Sequence, residues 1–164
     1  MGIATKGRAY IDRGAQPRTT DGRSPTEYGT PPTMYDPLDF TFGPFTLDPA
    51  TNCGAHGQPR NVIRPMPHYC LGCGQNGLGL PWHGKVYVNP PFDKSLPMWV
   101  AKARIEIREE RARLVAMLLP VRTGRKWWQE MAADHIIFLP GRIRFVGATH
   151  SAAFDSAVVL WWQL

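Results

Sequence analysis

Lys85-Val86-Tyr87-Val88-Asn89-Pro90-Pro91-Phe92 is a short apolar, β-branched run that stops at Asn-Pro-Pro-aromatic. It reads as a strand delivering an amide and an aromatic ring to its carboxyl end, and open α/β sheets bind ligands just beyond such ends. Pro90 and Pro91 fix φ and remove two backbone donors, which leaves carbonyl oxygens to accept from another molecule. Asn89 adds an amide oxygen and Phe92 a flat apolar face. Together they suit a planar ring with an exocyclic amine, such as a nucleobase taken out of its helix. Two acceptors on an NH2 localise its lone pair as nitrogen moves from planar towards tetrahedral. Attack on an electrophilic methyl is then favoured by transition-state binding and positioning, with no strong base. The same residues also fit a proline-rich turn closing a strand, with Phe92 entering the core.

The segments around this stretch predict the frame that holds it. Phe45-Thr46-Leu47-Asp48-Pro49-Ala50 alternates like a first strand and carries an acid to its carboxyl end. Asp-Pro there is also a common turn opener. Thr30-Pro31-Pro32 leads into Met34, Tyr35, Leu38 and Phe40, a short helical pattern broken by Pro37. Beyond Phe92, Asp93 or Ser95 caps a helix whose first turn accepts Pro97 and which continues to Arg113. Glu106, Arg108, Glu109, Glu110 and Arg111 mark its solvated face. Leu114 to Pro120 is continuously apolar, as in a central parallel strand covered on both faces. His135 to Leu139, Arg142 to Phe145 and Ala157 to Trp162 read as the last strands, Pro140-Gly141 linking the first two.

Val121 to Trp128 follows a strand end, so its loop belongs on the same rim as Asn89 to Phe92. Arg122, Arg125 and Lys126 suit phosphates, and Trp127 or Trp128 suits stacking, with at least one of the two packed in the core. Arg142 and Arg144 alternate with Ile143 and Phe145 and share one face, either a strand groove or a solvated surface.

The chain has 164 residues and a net charge of +6, which fits one domain and a polyanionic partner. No apolar run has the length of a membrane span and no signal-peptide core is present, so a soluble cytoplasmic protein with no membrane partner is expected. Residues 1–27 carry five basic side chains among Gly, Pro, Ser and Thr and read as a flexible basic arm. Pro49 to Phe92 contains no Asp or Glu but has Arg60, Arg64 and Lys85, a neutral-to-positive surface beside the proposed site. Inside it, Cys53-x-x-His56 and Cys70-x-x-Cys73 have the spacing of a structural zinc site, and they also fit buried or free thiols. The 53–77 insert is thus a candidate for zinc binding or for target contact. No glycine-rich dinucleotide turn is present, which removes NAD from consideration.

Tyr28-Gly29-Thr30-Pro31-Pro32, Phe45 to Ala50, Asn76-Gly77-Leu78 with Trp82, Asn89 to Phe92, and Phe138 to Phe145 occur in that order. In this order they resemble the compact phage-type DNA N6-adenine methyltransferases, over residues 28 to 162. The resemblance implies a methyltransferase domain at 28–164, with a Rossmann-like α/β fold: a mostly parallel sheet, helices on both faces and an antiparallel last strand. It implies methyl transfer from S-adenosylmethionine to the N6 amine of adenine in DNA, with Asn89, Pro90, Pro91 and Phe92 catalytic. Thr30, Pro31, Asp48, Pro49, Asn76 and Asn89 would hold the cofactor. Relatives have Asp where this chain has Asn76, and the acid that usually holds the cofactor ribose has no counterpart here. The residues alone leave open other planar amines (cytosine N4, an RNA base, a protein glutamine) and a non-catalytic, zinc-stabilised DNA-binding module.

Overall fold

Pro31 and Pro32 open the first helix, α1 (Pro32–Phe42), where the missing N–H of Pro32 costs nothing because the first turn has no intrahelical acceptor for it. The computed structural model describes residues 29–51, 53–54, 58–59, 67–70, 74–146 and 148–163, with only the backbone of 53–54 and 58–59. The basic arm at 1–27 and most of the 53–77 insert lie outside these residues. Pro37 does not break α1, which runs through it; Tyr35 and Leu38 are buried, and that packing outweighs the lost backbone bond.

The chain then forms β1 (Asp48–Thr51), the short pair β2 (Cys53–Gly54) and β3 (Gln58–Pro59), and β4 (His68–Cys70). Next come β5 (Gly84–Val88), α2 (Leu96–Arg108), β6 (Ala112–Pro120), α3 (Lys126–Gln129), β7 (His135–Phe138) and β8 (Ser156–Trp162). Four of these strands form a sheet in the order β5-β6-β8-β7; β5 and β6 run parallel, and β8 is antiparallel to both its neighbours. On the far side of β5, Thr46 N–H donates to the Lys85 carbonyl and Tyr87 N–H to the Leu47 carbonyl, and a parallel Leu47–Val86 bridge forms. β1 pairs in parallel with β4, so the sheet continues outward as a parallel extension. This is a mixed α/β architecture, mostly parallel, whose last strand is antiparallel.

Alternation along β5 explains the two cores. Val86 and Val88 face one side, with Val115, Met117, Leu119, Val159 and Trp161, under Leu96, Trp99, Val100 and Ala103 of α2 and Trp128 of α3. Tyr87 faces the other, with Ala116, Leu118, Val158 and Leu160, under Tyr35 and Leu38 of α1 and Phe145. Helices therefore cover both faces, and β6 is buried along nearly its whole length, as its apolar run requires.

Three expectations fail here. α2 ends at Arg108 rather than Arg113, because Glu110 turns the chain at φ 56 and β6 begins at Ala112. Glu106 is not on a solvated face: it is fully buried, its carboxylate accepting from the Trp82 N–H and from Arg111 and paired with Lys102. Arg142 to Phe145 is not a strand. β8 already has β6 on one side and β7 on the other, so no place beside β8 remains for it. The segment instead crosses the face with Ile143 and Phe145 inward and both arginines exposed, held by Ala152 N–H to the Ile143 carbonyl and Val146 N–H to the Gly29 carbonyl.

Candidate active site

The carboxyl end of β5 carries Asn89 half-buried, Pro90 buried, and Pro91 and Phe92 half-buried. Two loops meet it. Residues 121–125 leave β6, and residues 153–155 lead into β8; Val121 N–H donates to the Asp155 carbonyl at 2.9 Å and ties them together. Phe92 lies edge-on to Phe145 and Phe154, at centroid distances of 6.0 and 5.5 Å. Beside it opens a cleft of about 370 Å³ lined by Phe92, Lys94, Arg122, Arg125, Trp127 and Phe154, among others. The predicted rim is thus assembled: the loop after β6 shares a wall with the Asn-Pro-Pro-Phe segment. Trp128 is the core tryptophan and Trp127 the one at the cleft. Lys126 is exposed and faces Glu130 at 3.8 Å, while Arg142 and Arg144 are exposed but are not part of the cleft wall.

A second cluster lies where α1, β1 and β5 converge. Asp48 is 2% exposed, and its Oδ1 accepts from Ala50 N–H at 3.0 Å and its Oδ2 from Thr51 Oγ1 at 3.1 Å. Burial pushes its carboxyl up to about 6 against those two bonds and the charge of His68. Thr30, wholly buried, shares a 2.7 Å hydrogen bond with the Tyr87 hydroxyl. Burial raises the Tyr87 phenol far out of the physiological range, the Thr30 bond opposing it and the Asp48 charge adding to it, so it stays neutral. Pro31 accepts from the N–H groups of Met34 and Tyr35, starting α1 beside this cluster.

Asn76 belongs to the turn that abuts Pro49. A Cβ on Gly77 would overlap the Pro49 carbonyl oxygen, so only glycine permits this approach. Trp82 Nε1 donates to the Gly77 carbonyl at 2.8 Å, and Asn76 Oδ1 accepts from Leu78 N–H at 3.0 Å, closing the turn on itself. Asn76 itself is exposed, one residue before this approach to Pro49.

The zinc expectation rests largely on residues outside those described: His56, Cys73 and the Cys53 side chain. Cys70 is buried and its sulfur is disulfide-bonded, a covalent use of an atom that zinc needs as a thiolate. Among the described residues no cluster of His, Cys, Asp and Glu is arranged to hold a metal, and no helix is long and apolar enough to cross a membrane.

Three contributors escaped the sequence reading. Tyr87 was legible as a strand residue, yet a hydroxyl in an otherwise apolar buried strand needs a partner, and that need was the available signal. Phe154 is an isolated aromatic between turn residues, with no periodicity to mark it. Glu106 has the same i, i+4 spacing to Lys102 that a solvated helix face would have.

A search of curated proteins found no match. The family model described as DNA N-6-adenine-methyltransferase (Dam) matches residues 19–162, most of the chain, and with the Asn-Pro-Pro-Phe rim in place the chain belongs to that family of adenine-specific DNA methyltransferases.

Proposed function

We propose that the chain uses S-adenosylmethionine to methylate N6 of an adenine flipped out of DNA, in a single domain of residues 28–164 with the Rossmann-like strand arrangement of methyltransferases and a basic arm at 1–27. The observation that carries this reading is that β5 sets Tyr87 beside Thr30 and the buried Asp48 and, beyond its carboxyl end, puts Phe92 in one cleft wall with the cationic loop after β6.

The residues fit the cofactor at its charged end. Asp48 is a buried acid whose hydrogen-bond donors, the Ala50 N–H and the Thr51 hydroxyl, are neutral, and a cationic ammonium group would add to the charge of His68 in stabilising its ionised form. Thr30 and Pro31 at the start of α1, Pro49 after Asp48, Asn76 in the turn beside Pro49 and Asn89 at the end of β5 would line the same site. The bound cofactor supplies an electrophilic methyl group. Asn89 Oδ1 and the Pro90 carbonyl accept from the two hydrogens of the adenine amine and draw it towards tetrahedral geometry, while Phe92 stacks on the base. The amine nitrogen would take the methyl as its bond to the sulfonium sulfur breaks and a neutral thioether leaves; the cationic nitrogen then gives its proton to water, so no general base is needed.

Asp48 provides the test. Its carboxyl lies at about 6, above the ordinary 3.8, so the unliganded protein gains stability as pH falls through that window. Cofactor binding needs the ionised form and has the opposite dependence. Affinity should be level above pH 6 and fall up to about ten-fold per pH unit below it, with proton uptake or release visible by calorimetry in two buffers. In Asp48→Asn the affinity should be low and level with pH. An unchanged affinity in that variant would remove Asp48 from the cofactor site.

A further inference from the structure

The Arg122 guanidinium carbon lies 5.4 Å from the centroid of the Phe154 ring, and Phe154 in turn is the edge-on neighbour of Phe92. The two residues come from different loops, tied by the Val121–Asp155 backbone bond. The ring face attracts the guanidinium electrostatically, and none of the side-chain hydrogen bonds among the described residues uses an Arg122 N–H. Among the described residues neither Arg122, Arg125 nor Lys94 takes part in an ion pair, although all three line the cleft. The carboxylate in that wall, Asp93, already accepts from Ser95 N–H and Ser95 Oγ through Oδ1. The cleft thus presents Lys94, Arg122 and Arg125 above an aromatic floor, with a volume in the range of small-ligand sites.

On the reading above, we infer that Arg122, held over Phe154, grips the phosphodiester beside the flipped adenine, and that Trp127 packs against the neighbouring nucleotide. Phe154 is a positioning residue that touches Phe92 on one side and aims the Arg122 fork on the other. Backbone binding and base placement are linked through this one ring. The specificity implied is for a phosphate adjacent to the target base, whatever the surrounding sequence.

The experiment measures binding of a labelled DNA oligonucleotide by anisotropy across salt concentrations, with KM for DNA and cofactor affinity measured in parallel. Arg122→Ala should weaken DNA about ten-fold and reduce the salt slope by about one, with cofactor affinity as in the wild type. Arg122→Lys should restore the salt slope and only part of the affinity, since an ammonium lacks the planar fork. Phe154→Leu, which keeps apolar volume beside Phe92, should weaken DNA about three-fold when Arg122 is present and have no added effect on Arg122→Ala. Additive losses, or a Phe154→Leu effect confined to kcat, would overturn the inference, because Phe154 would then serve Phe92 alone. A wild-type protein that binds DNA without methylating it overturns the functional reading, while the salt slopes still decide the clamp. A wild-type protein that binds no DNA overturns the clamp itself.

Discussion

The two ends of α2 treat positive charge in opposite ways. At its amino end Leu96 and Pro97 line the cleft, where Lys94, Arg122 and Arg125 form no ion pair among the described residues. Towards its carboxyl end Lys102 and Arg111 close on Glu106, which is completely buried, and Arg108 pairs with Glu109. Burial by itself would raise the Glu106 carboxyl, but Arg111, Lys102 and the Trp82 N–H together hold it down at about 2. Its charge is thus used internally, to fix α2 to Trp82 and, through the Trp82 bond to Gly77, the turn beside Pro49. One end of the helix is assembled for stability. The other leaves its cations without ion-pair partners among the described residues, an arrangement that raises self-repulsion.

Substitutions at the two ends should therefore separate activity from stability. The largest effect belongs to the rim: Asn89→Ala should lower kcat by about three orders of magnitude, the scale seen when one group that stabilises a transition state is removed. Its melting temperature should match the wild type, and a matching loss of stability would merge the two ends into one structural unit. At the opposite end, Glu106→Gln should destabilise by about 2 kcal/mol in denaturant unfolding while activity per folded molecule changes little. Because the folded carboxyl sits below its ordinary 4.5, the Glu106 contribution is full above that pH and disappears as pH falls towards 2. The variant should accordingly lose the acid-side drop that this group adds. The smallest effect is Arg125→Ala, which should raise KM for DNA about three-fold at low salt, lose that difference at high salt, and leave stability within about 0.5 kcal/mol.

The same contrast shows what the chain discloses before it folds. β5 and its Asn-Pro-Pro-Phe ending were legible because a β-branched run that stops at two prolines has few other readings. The continuous apolar run of β6 was legible because seven such residues ending at a proline are too short for a buried helix and fit a strand covered on both faces. The rim loop followed from those two, since loops after parallel strands share one edge. Glu106 was not legible: its i, i+4 spacing is the same in water and in a core, and the partner that decides, Trp82, is 24 residues away in sequence. Arg142 to Phe145 has the alternation of a strand and keeps it as an extended crossing; the competition for a place beside β8 is a property of the whole sheet. Phe154 had no local pattern, because its contacts with Phe92 and Arg122 exist only once three separate segments meet.

The most direct test of the central claim is to incubate the protein and its Asn89→Ala variant with S-adenosylmethionine and unmethylated DNA, digest to nucleosides and identify the product by mass. The account predicts N6-methyladenine from the wild type, with none above background from the variant at equal folded concentration. N4-methylcytosine as the product, or equal N6-methyladenine from both proteins, would contradict it.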